Sequence, residues 1–211
     1  MRLNTRNSQK GDTIIEVMFA VAVFAMVAVG CLSIMNQGTA AAQRSLEITL
    51  VRHQIDAQAE TLRYIHQAYV ASFNKDTVVT GSAAEWVKMT DPSSGKGASA
   101  ASAFGVTNGG LCPSATPGQR PFILNTHTAT VWSSVPAMQP APGSSMPPFS
   151  QVTYNADSSI SYAYGIWIEA VPSVANSQAG FVDFHIRACW DSAGSGAPAT
   201  LGTIVRLYEP R

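Results

Sequence analysis

One carboxylate, Glu16, stands directly before residues 17–43, a stretch without a single charged side chain. An ionised carboxylate costs on the order of 2.5–3.5 kcal/mol at the centre of a bilayer, and less toward its edge. Beside a membrane helix such a group must pair, take up a proton or stay at the interface. A second pair of reactive side chains, Cys112 and Cys189, lies in the polar remainder of the chain, whereas Cys31 lies inside the apolar stretch. In an exported region an even pair of cysteines points to a disulfide. Closing that loop would stabilise the domain by roughly 4 kcal/mol in the chain-entropy account. Two unpaired thiols are the alternative.

The other candidates carry less. His53, His66, His127 and His185 show no metal-ligand spacing, so neither a metal nor a cofactor is expected. Gly97-Ala98-Ser99-Ala100-Ala101 lacks the second glycine of a nucleophile elbow, and Gly95-Lys96-Gly97 lacks the context of a phosphate loop. Asp183 and His185, two apart on one strand face, read as solvated side chains in preference to an acid–base pair. Trp132, Trp167 and Trp190 could make a sugar-binding platform, but packing in a core or loop is the simpler reading. No catalytic residue is assigned, and the chain is not expected to be an enzyme.

The elements that must position Glu16 and the cysteines follow from hydropathy and period. Residues 17–35, VMFAVAVFAMVAVGCLSIM, are apolar almost throughout. As a helix they would span about 29 Å, close to the hydrocarbon thickness of a bilayer. Arg2, Arg6 and Lys10 precede the run with no acid among them. That bias leaves the N-terminus cytoplasmic and the rest outside if the run inserts. Gly30 and Gly38 would loosen the helix or let another helix approach closely, and Cys31 reads as a small buried residue. Beyond the run, Ile48, Val51, Ile55, Ala59, Leu62, Tyr69 and Phe73 recur at helical steps, while Arg44, Glu47, Arg52, Asp56, Glu60 and Arg63 mostly take the other faces. One helix is therefore expected from about Thr13 to Ser72.

After Lys75 the pattern changes. Residues 88–119 and 135–148 read as long loops, rich in Gly, Ser and Ala in the first case and in Pro in the second. Strands are expected at 122–132, 163–171, 181–190 and 203–208. In 181–190, Val182, Phe184, Ile186 and Ala188 alternate with Asp183, His185 and Arg187, which suits a strand with one face on the helix and one toward solvent. The last three runs suggest an antiparallel meander. The fold class is α+β: a long N-terminal helix, half membrane-spanning and half amphipathic, on a C-terminal antiparallel sheet with long loops.

The chain has a formal net charge of zero and only 12% charged residues. Without its basic start it holds ten basic and thirteen acidic side chains. That is no footprint for nucleic acid, so no direct nucleic-acid partner is expected. Low charge suits an exported surface.

Three processing routes are compatible with this start. A secretory signal peptide would be cut after Ala42, although the apolar run is longer than such segments need and begins late. Ala28-Val29-Gly30-Cys31 is a weak lipobox. Both routes leave Glu16 without a purpose. The third uses Lys10-Gly11-Asp12-Thr13-Ile14-Ile15-Glu16-Val17-Met18, which resembles the prepilin peptidase site of type IV pilins and pseudopilins. The resemblance covers roughly the first sixty residues. It implies a leader of residues 1–11, a cut between Gly11 and Asp12, N-methylation of the new terminus, and Glu16 as the fifth mature residue. Where the family usually has Phe or Met after the cut, this chain has Asp12.

The resemblance further implies four regions: leader 1–11, transmembrane and assembly helix 12–43, its amphipathic continuation 44–74, and an extracytoplasmic β-rich head 75–211. It implies a structural subunit, a minor pilin or pseudopilin, of a type IV pilus or type II secretion-like filament. The partners it brings are other pilin subunits, prepilin peptidase, an inner-membrane assembly platform and, before assembly, membrane lipid. In assembly Glu16 would pair with the Asp12 amine of a neighbouring subunit and fix axial register, since apolar helices alone slide with little preference. A signal-peptide-exported or lipid-anchored surface binding protein is the alternative.

Overall fold

The computed structural model describes residues 14–73, 79–90, 121–132, 149–173, 180–192 and 198–210. It divides into two compact units, Met1–Gln43 and Arg44–Arg211. The first helix, α1, runs Ile14–Ser72, one residue from the start and at the end that the sequence suggests. Its residues 14–43 are mostly apolar, with Glu16 the one charged side chain, and every buried residue of α1 comes later, from Glu47 onward.

Within the second unit, residues 44–72 of α1 bury a stripe at three- and four-residue steps: Val51, Ile55, Ala59, Leu62 and Ile65. Two expectations at its edge need correcting. Ile48 is 38% exposed, and Glu47, placed off the stripe by its charge, is only 6% exposed. A buried carboxylate needs donors to replace water. Trp190 Nε1 supplies one at 3.0 Å and Ser192 Oγ another at 2.6 Å. Tyr69 packs on the core, and Phe73 lies against Tyr69 with ring centroids 6.1 Å apart.

A second helix, α2 (Ser82–Thr90), was not foreseen. The loop expected from residue 88 therefore begins too early, because residues 88–90 close this helix. The remainder of both expected loops, 91–119 and 135–148, lies outside the described residues. Ala83, Trp86 and Met89, three apart, form the buried face of α2. Trp86 stacks on Tyr69 at 5.8 Å and meets Phe184 at 5.5 Å, so one ring joins α1, α2 and the sheet.

The run 122–132 is a hairpin, β1 (Ile123–Asn125) with β2 (Thr130–Trp132), and not one strand. The run 163–171 is likewise divided. Its first residues end β4 (Ile160–Tyr164), which pairs with an unforeseen β3 (Gln151–Tyr154), and the rest make β5 (Ile166–Pro172). With β6 (Phe181–Trp190) and β7 (Ala199–Tyr208), β5 forms a three-stranded antiparallel meander in the order β5-β6-β7. The alternation in β6 is as the sequence suggests, with Val182, Phe184, Ile186 and Ala188 all buried. They share a core with Ile166, Ile168 and Ala170 of β5, Val205 of β7 and the α1 stripe. An isolated bridge, Phe122 to Ile168, ties the β1 hairpin to β5.

Gly165 explains why β4 and β5 are separate. Its φ of +58° turns the chain between them, and its carbonyl accepts hydrogen bonds from Cys189 N at 2.7 Å and Ser150 Oγ at 3.0 Å. A Cβ at this position would lie 2.1 Å from Cys189 O. Gly81 has a similar φ of +62° but open space around it. Gly165→Ala should therefore cost about 2–4 kcal/mol, combining backbone strain with a backbone collision. Gly81→Ala should cost only about 1–2 kcal/mol. Urea unfolding of the full chain in detergent checks the order, and equal losses would contradict the account.

Candidate functional site

The chemistry-bearing residues fall into two groups, one in each unit. In the first, Glu16 is exposed in the opening turn of α1, where a carboxylate favours the positive end of the helix dipole. Around it Ile14 and Ile15 are nearly four-fifths exposed, and Val17, Met18 and Phe19 are exposed as well. The exposure continues to residue 43, with only Ala28 and Ala40 partly covered. The most apolar window has a mean hydropathy of 2.6, and none of it is buried. The helix is long and apolar enough to cross a membrane. A helix with so apolar a surface suits a core or lipid, and among the described residues none of its most apolar window is buried.

Gly30 and Gly38 have open space where a side chain would stand, so their smallness serves no packing among the described residues. Cys31, read from the sequence as buried, is exposed and free. Gly11 and Asp12 lie outside the described residues.

In the second unit Cys189 is buried at the end of β6 and disulfide-bonded. Cys112 lies outside the described residues. Trp167 and Trp190 are 2% and 5% exposed, which removes them from any open sugar platform, and Trp132 packs partly buried against the core. His66 Nε2 bonds the Tyr208 carbonyl at 2.8 Å. No group of three or more His, Cys, Asp or Glu side chains is placed to hold a metal ion among the described residues.

The face of the β5–β7 sheet turned from the core carries the main cluster of charge. In register across the strands lie Glu169 and His185, then Asp183 and Arg206. Asp183 is not the solvated group expected. Both its oxygens accept from Arg206, from Nε and Nη2 at 2.7 Å each, and the guanidinium lies 4.0 Å over the Phe181 ring. This fork geometry holds the Asp183 carboxyl below its ordinary value. Burial pushes Glu169 up, partly offset by Arg187. Burial also pushes His185 down, Arg187 adds to that, and Asp183 opposes it. Among the described residues Trp167 Nε1 and Glu169 Oε2 are buried without a hydrogen-bond partner of good geometry. Asp183 is thus an ion-pair partner of Arg206 and not a free carboxylate beside His185.

Sequence reasoning missed the buried polar residues Glu47, Gln58 and Glu85. Gln58 gives the Leu124 carbonyl a hydrogen bond and takes one from the Leu124 N–H, both at 2.9 Å. Glu85 accepts from Val131 N at 2.9 Å and pairs with Lys88. Their partners are distant in sequence, and no local pattern announces them.

No protein-family model matches the chain, and neither does any curated protein or solved structure.

Asp183 yields a pH prediction with a definite sign. Its folded pKa lies below the unfolded 3.8, so its contribution is complete above that value and is lost as pH falls through the folded one. Asp183→Asn should lower stability at pH 7, and the gap from wild type should narrow as pH falls below 3.8. Urea midpoints of both proteins across that range provide the test. A constant gap would contradict the assignment.

Proposed function

We propose that this chain is a structural subunit of a type IV pilin-like filament, as a minor pilin or pseudopilin. Prepilin peptidase removes residues 1–11, cutting between Gly11 and Asp12, and the new Asp12 terminus is methylated. The protein then resides in the cytoplasmic membrane as a single pass with its N-terminus inside and residues 44–211 outside. An inner-membrane assembly platform moves it into a surface filament built with other pilin subunits. It binds lipid before assembly, and neither nucleic acid nor a cofactor has a part in this role.

The observation that carries the reading is the uncovered apolar surface of residues 14–43, opened by the single carboxylate Glu16. The β-rich unit carries its own core, so those side chains are left for partners outside the chain. Lipid tails and the helices of other subunits are nearly equivalent surroundings for Leu, Ile, Val and Phe, so transfer between them needs little driving force. What apolar packing lacks is register. The Glu16 carboxylate supplies it by pairing with the Asp12 amine of the next subunit, a cation created only by cleavage. A charge pair there leaves no isolated ion near the hydrocarbon. The size of residues 75–211 suits a minor or initiating subunit better than a major one, and the retained Glu16 argues against a fibre-capping one. Outside the membrane a Cys112–Cys189 disulfide staples the head.

Glu16→Leu tests the pairing. The variant should reach the membrane and be cleaved normally, because neither step requires the pair. When co-expressed with tagged wild type, it should enter sheared surface filaments at least tenfold less well. Equal recovery of both proteins would rule out the register role of Glu16.

A further inference from the structure

An open groove of about 420 Å³ lies in the second unit, within the range of about 300–1,000 Å³ usual for small-molecule sites. Glu60 and Tyr64 of α1, Ser82 at the start of α2, and Thr126, His127 and Thr128 of the β1–β2 loop line it. None of these residues has a part in membrane insertion or in the Glu16 pair.

The loop wall is fixed in advance of any ligand. Asn125 is buried, and its Oδ1 accepts from the backbone N–H of His127 at 2.9 Å and of Thr128 at 3.2 Å, while its Nδ2 donates to the Ser158 carbonyl at 2.7 Å. Thr126 Oγ1 bonds the Tyr154 hydroxyl at 2.8 Å. The His127 ring lies flat on Tyr154, with centroids 4.0 Å apart and planes at 18°. Ala129 closes the four-residue turn at φ +52°, its N–H bonded to the Asn125 carbonyl at 2.8 Å. A wall organised in this way spends little entropy when a ligand arrives.

The lining also defines the ligand. The Tyr64 and Ser82 hydroxyls and the His127 ring nitrogens make no hydrogen bond among the described residues, and Glu60 engages Arg63 through Oε1, leaving Oε2. The groove thus offers a mixture of donors and acceptors, together with the half-exposed Tyr64 ring. Glu60 disfavours phosphate or carboxylate ligands, one carboxylate is too few for a metal ion, and the hydroxyl-rich lining disfavours an apolar ligand. A molecule with an apolar C–H face and a rim of hydroxyls satisfies every part of the lining. We propose that this groove binds a neutral pyranose, such as the terminal sugar of a glycan. The site belongs to the second unit alone and stands whether or not the chain forms filaments.

The test is saturation-transfer NMR on the full chain in dodecylphosphocholine, a detergent without a sugar headgroup. The probes are methyl glucoside, methyl galactoside, methyl mannoside and N-acetylglucosamine. At least one should bind with a Kd of about 1 mM. Tyr64→Ala and Glu60→Gln should each weaken binding at least tenfold. Tyr162→Ala, which removes an exposed ring of β4 outside the groove, should leave it unchanged. Failure of all four sugars to bind would overturn the proposal. So would binding that survives both groove variants or that depends on Tyr162.

Discussion

Residues 14–43 present an apolar helical surface, and none of its most apolar window is buried among the described residues. Apolar surface left in water is costly at roughly 25 cal/mol per Å², and this segment is long and apolar enough to cross a membrane. The same helix continues without a break to Ser72 but changes character along its length. Before residue 44 its side chains bury nothing; after it, one face is committed to a core of its own. A single continuous element thus has an exposed apolar stretch and then a stretch packed on a core, two environments that change over near Arg44, the first charged residue after Glu16.

That second environment is not purely apolar. Along the buried face of α1, Glu47 holds Trp190 and Ser192, Gln54 accepts from Val152 N, and Gln58 grips both backbone groups of Leu124. Gln58 acts for β1 as a neighbouring strand would, meeting one N–H and one C=O with a planar amide. Losing such a partner would leave a buried polar group unsatisfied, at a cost of about 1–3 kcal/mol. These bonds give the helix a defined register on the strands, which the methyl groups of Val51, Ile55 and Ala59 could not specify alone. Gly165 imposes a similar constraint at the other side of the core, where only the absence of a side chain allows Cys189 to come so near.

Much of this was legible in the residues themselves. The limits of α1 could be read because its signals, a long charge-free run followed by a three-and-four stripe, persist over many turns. The alternation in β6 was equally plain, since one face is core and the other polar. Shorter features failed for physical reasons. The period of α2 shows only as Ala83, Trp86 and Met89 among Ala84, Glu85, Val87 and Lys88, and the β4–β5 boundary depends on the backbone of one glycine. Glu47 was assigned to solvent because its charge argues for exposure, and its donors lie at the far end of the chain. Of the residues with a proposed role in processing and assembly, Glu16 is where the sequence suggests, at the first turn of the helix. Gly11 and Asp12 owe their roles to motif and not to geometry.

The central claim is that the apolar helix is kept, and kept with a new terminus, so that it can pass from lipid to neighbouring subunits. Intact-mass analysis of the protein recovered from membranes of its native host tests this most directly. The account predicts a chain beginning at Asp12, with or without one methyl group. A chain beginning at Gln43, or one lipidated on Cys31, would contradict it, because the surface on which assembly depends would then be absent.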